Sequence, residues 1–195
     1  MEIYDISREF FSAPLYPGTE PPQIIEIERI GKNNAEYNLS GISADLHTAT
    51  HCDAYSHFIS GGTDIANMDL KHYIGECFLL ETIKDGVITK EYLEVHLPRD
   101  IQRLLLKTGG NSYLDNDAAQ LIKSRGVITI GTDSRSISPP DNEIYIHRLL
   151  LGNSIAIIEQ LDLEKPEQGF YTLFAPPVKI SGAEGAPCRA ILIRA

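Results

Sequence analysis

The chain has 195 residues, 43% of them apolar and 23% charged, and a formal net charge of −10. This length predicts one domain over 1–195 with a sizeable core. The acidic balance argues against nucleic acid or an anionic membrane as partner, because phosphate binding needs clustered Lys and Arg. No apolar run approaches the roughly 20 residues of a membrane span. The start, MEIYDISREF, lacks the basic and apolar stretches of a signal peptide. Cys52, Cys77 and Cys188 are odd in number, widely spaced and without a CxxC pair. They are expected to be free thiols, which places the protein in the cytoplasm.

In chain order, PLYPGTEPP (14–22) reads as an extended, turn-rich segment. QIIEIERI (23–30) alternates in part and predicts a strand. Further strands are expected at CFLLETI (77–83), IQRLLLK (101–107), GVITIGT (126–132), SIAIIE (154–159), FYTLFA (170–175) and RAILIRA (189–195). Several are apolar without alternation, as in strands covered on both faces. Helices are expected at TKEYLEVHL (89–97), stopped by Pro98, and at DNDAAQLIKSRG (115–126), which has an Asp start and a Gly stop. A third is expected at NEIYIHRLLLG (142–152). SPPDN (138–142) reads as a loop, and APPVKISGAEGAP (175–187) carries Pro and Gly on either side of a crossing. Together these predict an α/β domain with a curled mixed sheet and flanking helices.

Three of the six histidines fall within HTATHCDAYSHF (47–58). In one straight helix Asp53 would point about 160° away from His51. In one strand His47, His51, Asp53 and His57 would share a face, but ten residues span about 33 Å. The segment must therefore bend, and Thr48, Thr50 and the flanking LSGISADL favour an extended entry to it. Imidazoles and a carboxylate converging suit a borderline divalent cation such as Zn²⁺ or Mn²⁺. His57, at the far end, suits proton transfer. Cys52 faces the other way in an extended segment and reads as packing. A Cys52 nucleophile, a structural metal site and metal binding without catalysis are the rival readings.

HTATHCDAYSHF resembles the motif H-x-G-T-H-x-D-x-P-x-H-F of the cyclase-like metal-dependent hydrolases, which include bacterial kynurenine formamidase and isatin hydrolase. Ala49 stands where the motif has Gly, and Tyr55 where it has Pro. Other matching segments are DIS (5–7), YPG (16–18, with Tyr16 in place of Trp), LLLKTG (104–109), VITIGTDSRSI (127–137), HRLLLGNSIAIIEQL (147–161) and APCRA (186–190).

The resemblance implies a swivelling β/β/α fold. It implies one ion on His47, His51, Asp53 and Glu159, and a second on Asp53, Glu159 and His147. That corresponds to two Zn²⁺ per subunit, with Mn²⁺ as the alternative. It gives His57 the proton shuttle, with Tyr16 stacking on substrate and Tyr55 lining the pocket. Arg189 is expected in a structural ion pair, and Asp133 beside the site or in a strand-end turn. The implied reaction is hydrolysis of a C–N bond in a small amide, with N-formylkynurenine of tryptophan catabolism as leading substrate. Cyclic amides and lactones are the alternative. A homodimer is also implied.

Overall fold

The computed structural model describes residues 1–82 and 84–194. The strands are β1 (Glu2–Asp5), β2 (Gln23–Glu28), β3 (Leu39–Ser43), β4 (His51–Asp53), β5 (Ile74–Glu81), β6 (Val87–Ile88) and β7 (Arg103–Lys107). There follow β8 (Tyr113–Leu114), β9 (Thr129–Thr132), β10 (Ala156–Glu159), β11 (Gly169–Phe174), β12 (Gly185–Pro187) and β13 (Ile191–Arg194). The α-helices are α1 (Lys90–His96), α2 (Asn116–Ser124) and α3 (Glu143–Leu151). Nine strands form one sheet in the order β1-β13-β11-β5-β7-β9-β10-β4-β12. Its centre, β5-β7-β9-β10, is parallel. Both flanks are antiparallel, so the sheet is mixed, as expected.

Consecutive apolar residues on the central strands feed two cores. Leu104, Leu106, Ile130 and Ile157 pack with the helices, against Leu93, Ala118, Ile122, Ile146 and Leu150. Leu105 and Ile158, one residue along, enter the second core with Ile6, Tyr73, Tyr171, Leu173 and Leu192. Burial on both faces explains why these strands do not alternate.

Each predicted helix is present. Thr89 caps α1 by accepting from Tyr92 N, and Asp115 caps α2 by accepting from Ala118 N. α3 lies within 142–152. The predicted strand at 77–83 begins three residues earlier, at Ile74, and its last residue, Ile83, lies outside the described residues. Ala195, at the end of the 189–195 prediction, also lies outside them. Short β1, β4, β6, β8 and β12 carry too little pattern to be seen in sequence. No helix among the described residues is long and apolar enough to cross a membrane.

The expected extended entry into 47–58 forms in LSGISADL but not at Thr48 and Thr50, which lie in a bend. LSGISADL supplies β3, which pairs with β2 in a separate two-stranded sheet. Residues 47–50 then turn, with Ala49 at φ 57°. Only His51–Asp53 is strand, and Tyr55–His57 is a 3₁₀ turn. The bend precedes the strand because β4 must enter the large sheet between β10 and β12.

Candidate active site

Sheet register assembles the first half of the site. His51 pairs with Glu159 across β4 and β10, so their side chains are neighbours on one face. Asp53, two residues on, shares that face. Cys52 points into the opposite core and is fully buried, as its packing role requires. α3 delivers His147 from above the sheet, and the turn at 47–50 swings His47 in.

The resulting distances are short. His51 Nε2 lies 3.4 Å from Asp53 Oδ1 and 3.6 Å from Glu159 Oε2. His147 Nε2 lies 3.4 Å from Glu159 Oε1 and 3.8 Å from Asp53 Oδ2. His47 Nδ1 lies 3.1 Å from Asp53 Oδ1. Two groups of potential ligands result, His47–His51–Asp53 and Asp53–His147–Glu159, and they share Asp53. Ligand atoms about 2.0–2.2 Å from one tetrahedral ion stand roughly 3.4 Å apart, so this spacing suits divalent cations.

Hydrogen bonds fix the ring tautomers. His51 Nδ1 donates to Ala49 O (2.8 Å) and His147 Nδ1 donates to Glu143 O (2.9 Å). A carbonyl can only accept, so in each neutral ring Nε2 carries the free lone pair and faces the carboxylates. Ile137 N donates to Glu159 Oε1 at 2.8 Å. Meanwhile His47 Nε2, His51 Nε2 and Asp53 Oδ2 are buried with no hydrogen-bond partner. Such orphaned atoms are costly unless something binds them. The residues present therefore fit a metal centre.

The electrostatics of the protein alone agree. Burial alone would lower the His47 pKa, but the Asp53 hydrogen bond and charge, with Glu159 and Glu184 behind, carry it up to about 9. His147 is opposed by burial in the same way and raised to about 9 by Glu159 and Asp53. For Asp53 burial acts upward, yet the His47 hydrogen bond and the neighbouring His51 imidazole hold it well below the usual carboxylate range. The pocket thus concentrates negative charge that a cation can take over from protons.

His57 behaves differently. Burial holds its pKa below the ordinary value, with Asp53 opposing and the His47 and His147 charges assisting. Its ring stacks on His47 with centroids 4.2 Å apart and lines a cavity of about 280 Å³ with His47, His51, His147 and Glu159. Phe58 stacks on His147 at 4.6 Å and fixes that ring from the other side. Tyr16 also lines the cavity. Its hydroxyl donates to Glu143 Oε2 at 2.8 Å, and burial with that carboxylate pushes its pKa up to about 12.

Tyr55 does not line this cavity, contrary to expectation. Its hydroxyl instead reaches His72 Nε2 (2.9 Å) and Ser154 O (3.1 Å), and its ring packs between the two cores. Arg189 makes the expected ion pair, with Nε 3.0 Å from both oxygens of Asp5. Asp133 braces a turn, accepting from Thr108 N at 2.8 Å and Gly109 N at 3.0 Å. Sequence reasoning missed Glu184, whose Oε1 lies 3.6 Å from His47 Nε2. It also missed Gly185, where a Cβ would sit 2.7 Å from His47 Cε1. Both arrive through the β12–β4 pairing, a long-range contact with no local signal.

A mixed curled sheet with two carboxylate–imidazole groups on one face defines a metal-binding α/β domain. Residues 4–139 match the protein family described as "Putative cyclase", and the chain belongs to that family. His147 and Glu159 lie beyond the matched stretch. The chain is 29% identical over 216 residues to Cyclase-like protein 3 of Arabidopsis thaliana, covering 99% of this chain and 80% of that one. It is 29% identical over 188 residues to a kynurenine formamidase of Bacillus mycoides (strain KBAB4), covering 91% and 90%. Among solved structures it superposes on one described as a potential metal-dependent hydrolase with cyclase activity. That match has a TM-score of 0.85 and 25% identity, and covers 98% of this chain and 96% of the other.

Proposed function

We propose that this chain is a metal-dependent hydrolase of a C–N bond in an amide or cyclic amide, with N-formylkynurenine as leading substrate and kynurenine and formate as products. The observation that carries this reading is the pair of ligand groups sharing Asp53, with orphaned buried atoms, in the cavity that His57 lines. The 29% identity to a protein named kynurenine formamidase supports the substrate choice.

His47, His51, Asp53, His147 and Glu159 hold two divalent ions, Zn²⁺ by preference for this nitrogen and oxygen set, with Mn²⁺ as alternative. Such ions, when bound, supply Lewis acidity toward a carbonyl and toward water. His57 takes a proton from the attacking water and returns it to the leaving nitrogen. Its lowered pKa leaves Nδ1 or Nε2 free to accept at neutral pH. Tyr16, with its hydroxyl committed to Glu143, offers a ring face for an aromatic substrate. Three free thiols suit a cytoplasmic protein.

The experiment is metal analysis of the purified protein followed by assay with N-formylkynurenine, isatin and simple lactones. Two divalent ions per chain and turnover of N-formylkynurenine are expected. Failure to bind or acquire any divalent metal sinks the reading. His57→Asn should keep its metal and lose about 10²- to 10⁴-fold in kcat. Retained turnover in that variant removes His57 from its role.

A homodimer is part of the same proposal. The β2–β3 hairpin exposes Ile24 (65%) and Ile42 (63%) on one face and Ile25 and Ile27 on the other. A two-stranded sheet apolar on both faces is poorly stable alone in water and suits burial against a second copy.

A further inference from the structure

We propose that Arg135 and Arg8 form an anion-reading subsite at the mouth of the metal cavity, selecting amides that carry a carboxylate tail. The inference rests on the hydrolase reading and adds the substrate's charge.

Among the described residues, Arg135 is the sole lysine or arginine lining the metal cavity. It also lines an adjoining groove of about 330 Å³ together with Arg8, Gly109 and Gly110. Cavity and groove share Pro14, Arg135 and Gln160, so Arg135 borders both. Arg135 is exposed, and its guanidinium charge acts on the Tyr16 phenol, which places it at the same mouth. The hydrogen bond recorded for it is a long one, 3.5 Å from Nη1 to Leu15 O.

Arg8 is held in place without being neutralised. Its backbone N–H donates to Thr50 Oγ1 (2.8 Å) and its Nη2 donates to Asp133 O (3.0 Å). Among the described residues, neither Arg8 nor Arg135 has a carboxylate within 4.0 Å. Among the described residues the one acidic residue lining the groove is Asp133, and its two oxygens are taken by Thr108 and Gly109. Two arginines without a carboxylate partner thus line one groove of a protein with net charge −10. A guanidinium binds a carboxylate through two parallel N–H···O bonds, which discriminates charge and shape together. A substrate with its amide among the ligand histidines and its tail toward Arg135 would place that tail in the groove.

The test uses the full chain loaded with Zn²⁺ or Mn²⁺ and two probes. Formanilide is neutral, and 4-formamidophenylacetate carries a carboxylate opposite the amide. The wild type should favour the charged probe in kcat/KM by about 10- to 100-fold, the scale of a charged hydrogen bond. Arg135→Ala should collapse that ratio through KM rather than kcat. Arg135→Lys should restore part of it, and Arg8→Ala should act in the same direction. A second measurement is independent of turnover: calorimetric binding of 4-formamidophenylacetate to metal-free protein, which should weaken in Arg135→Ala. If the wild type hydrolyses neither probe but binding depends on Arg135, the hydrolase reading fails and the subsite stands. If both probes are hydrolysed at equal kcat/KM and Arg135→Ala leaves binding unchanged, the subsite is overturned and the hydrolase reading stands. An equal loss on both probes also overturns it, because Arg135 would then be acting on the cavity's structure.

Discussion

At the scale of single residues, the departure at Ala49 acquires a physical meaning. The motif that 47–58 resembles has Gly there, and Ala49 sits at φ 57° in the left-handed region. A Cβ in that region costs roughly 1–2 kcal/mol. The strain sits beside the proposed ligands, since Ala49 O is the acceptor that orients His51. Ala49→Gly should therefore stabilise the protein by about 0.5–1 kcal/mol, after the unfolded-state entropy of glycine is set against relieved strain. A urea midpoint at or below that of the wild type would show that Ala49 is not strained. Gln160, directly after Glu159, is also left-handed, at φ 55°. The four polar positions of 47–58 were legible because they crowd one short stretch. The fate of Tyr55 was not, because its partners His72, 17 residues away, and Ser154, 99 away, are set by tertiary contact.

At the scale of elements, long periodic segments were legible and short ones were not. α2 has a capping Asp, an apolar stripe and a Gly stop, three local signals in agreement. β4 has three residues, and its strand character comes from β10 and β12 on either side. The 3₁₀ segment Leu70–His72 joins β5 to the site region and carries a titration of its own. Buried His72 donates from Nδ1 to Ile128 O (2.8 Å), and its Nε2 lies 2.9 Å from the Tyr55 hydroxyl, which donates to Ser154 O. Burial lowers the His72 pKa, with the Ile128 carbonyl opposing. The unfolded chain then takes up this proton first. His72 therefore removes stability as pH falls through and below about 6.5. His47 and His147, raised in the metal-free protein, act with opposite sign, so the wild type must be compared with His72→Gln. The difference between their urea midpoints should shift in favour of His72→Gln on going from pH 7.5 to 5.5. A difference independent of pH would remove His72 from the acid sensitivity.

At the scale of the whole molecule, the nine-stranded sheet and its two cores form a self-contained body, while the β2–β3 hairpin stays apart from it in its own sheet. The double variant Ile24→Glu, Ile42→Glu tests what covers that hairpin. Light scattering should find a dimer for the wild type and a monomer for the variant. The thermal midpoint read at low concentration should be nearly unchanged, because both side chains are exposed in the single chain. A monomeric wild type would falsify the dimer proposal.

The sequence by itself determined the chemistry. Residue types, the spacing within 47–58 and the apolar runs depend on local order, so they named His47, His51, Asp53 and His57 and predicted a mixed α/β domain. His147 and Glu159 were reached from sequence only through a family resemblance, because nothing local joins them to residues about a hundred positions earlier. The tertiary structure decided the rest. It placed Glu159 opposite His51, swung His47 in through a strained turn, turned Tyr55 away and brought Arg135 to the mouth beside Arg8. The physical reason is register: strand pairing between distant segments fixes which side chains share a face, and no periodicity within either segment records its partner.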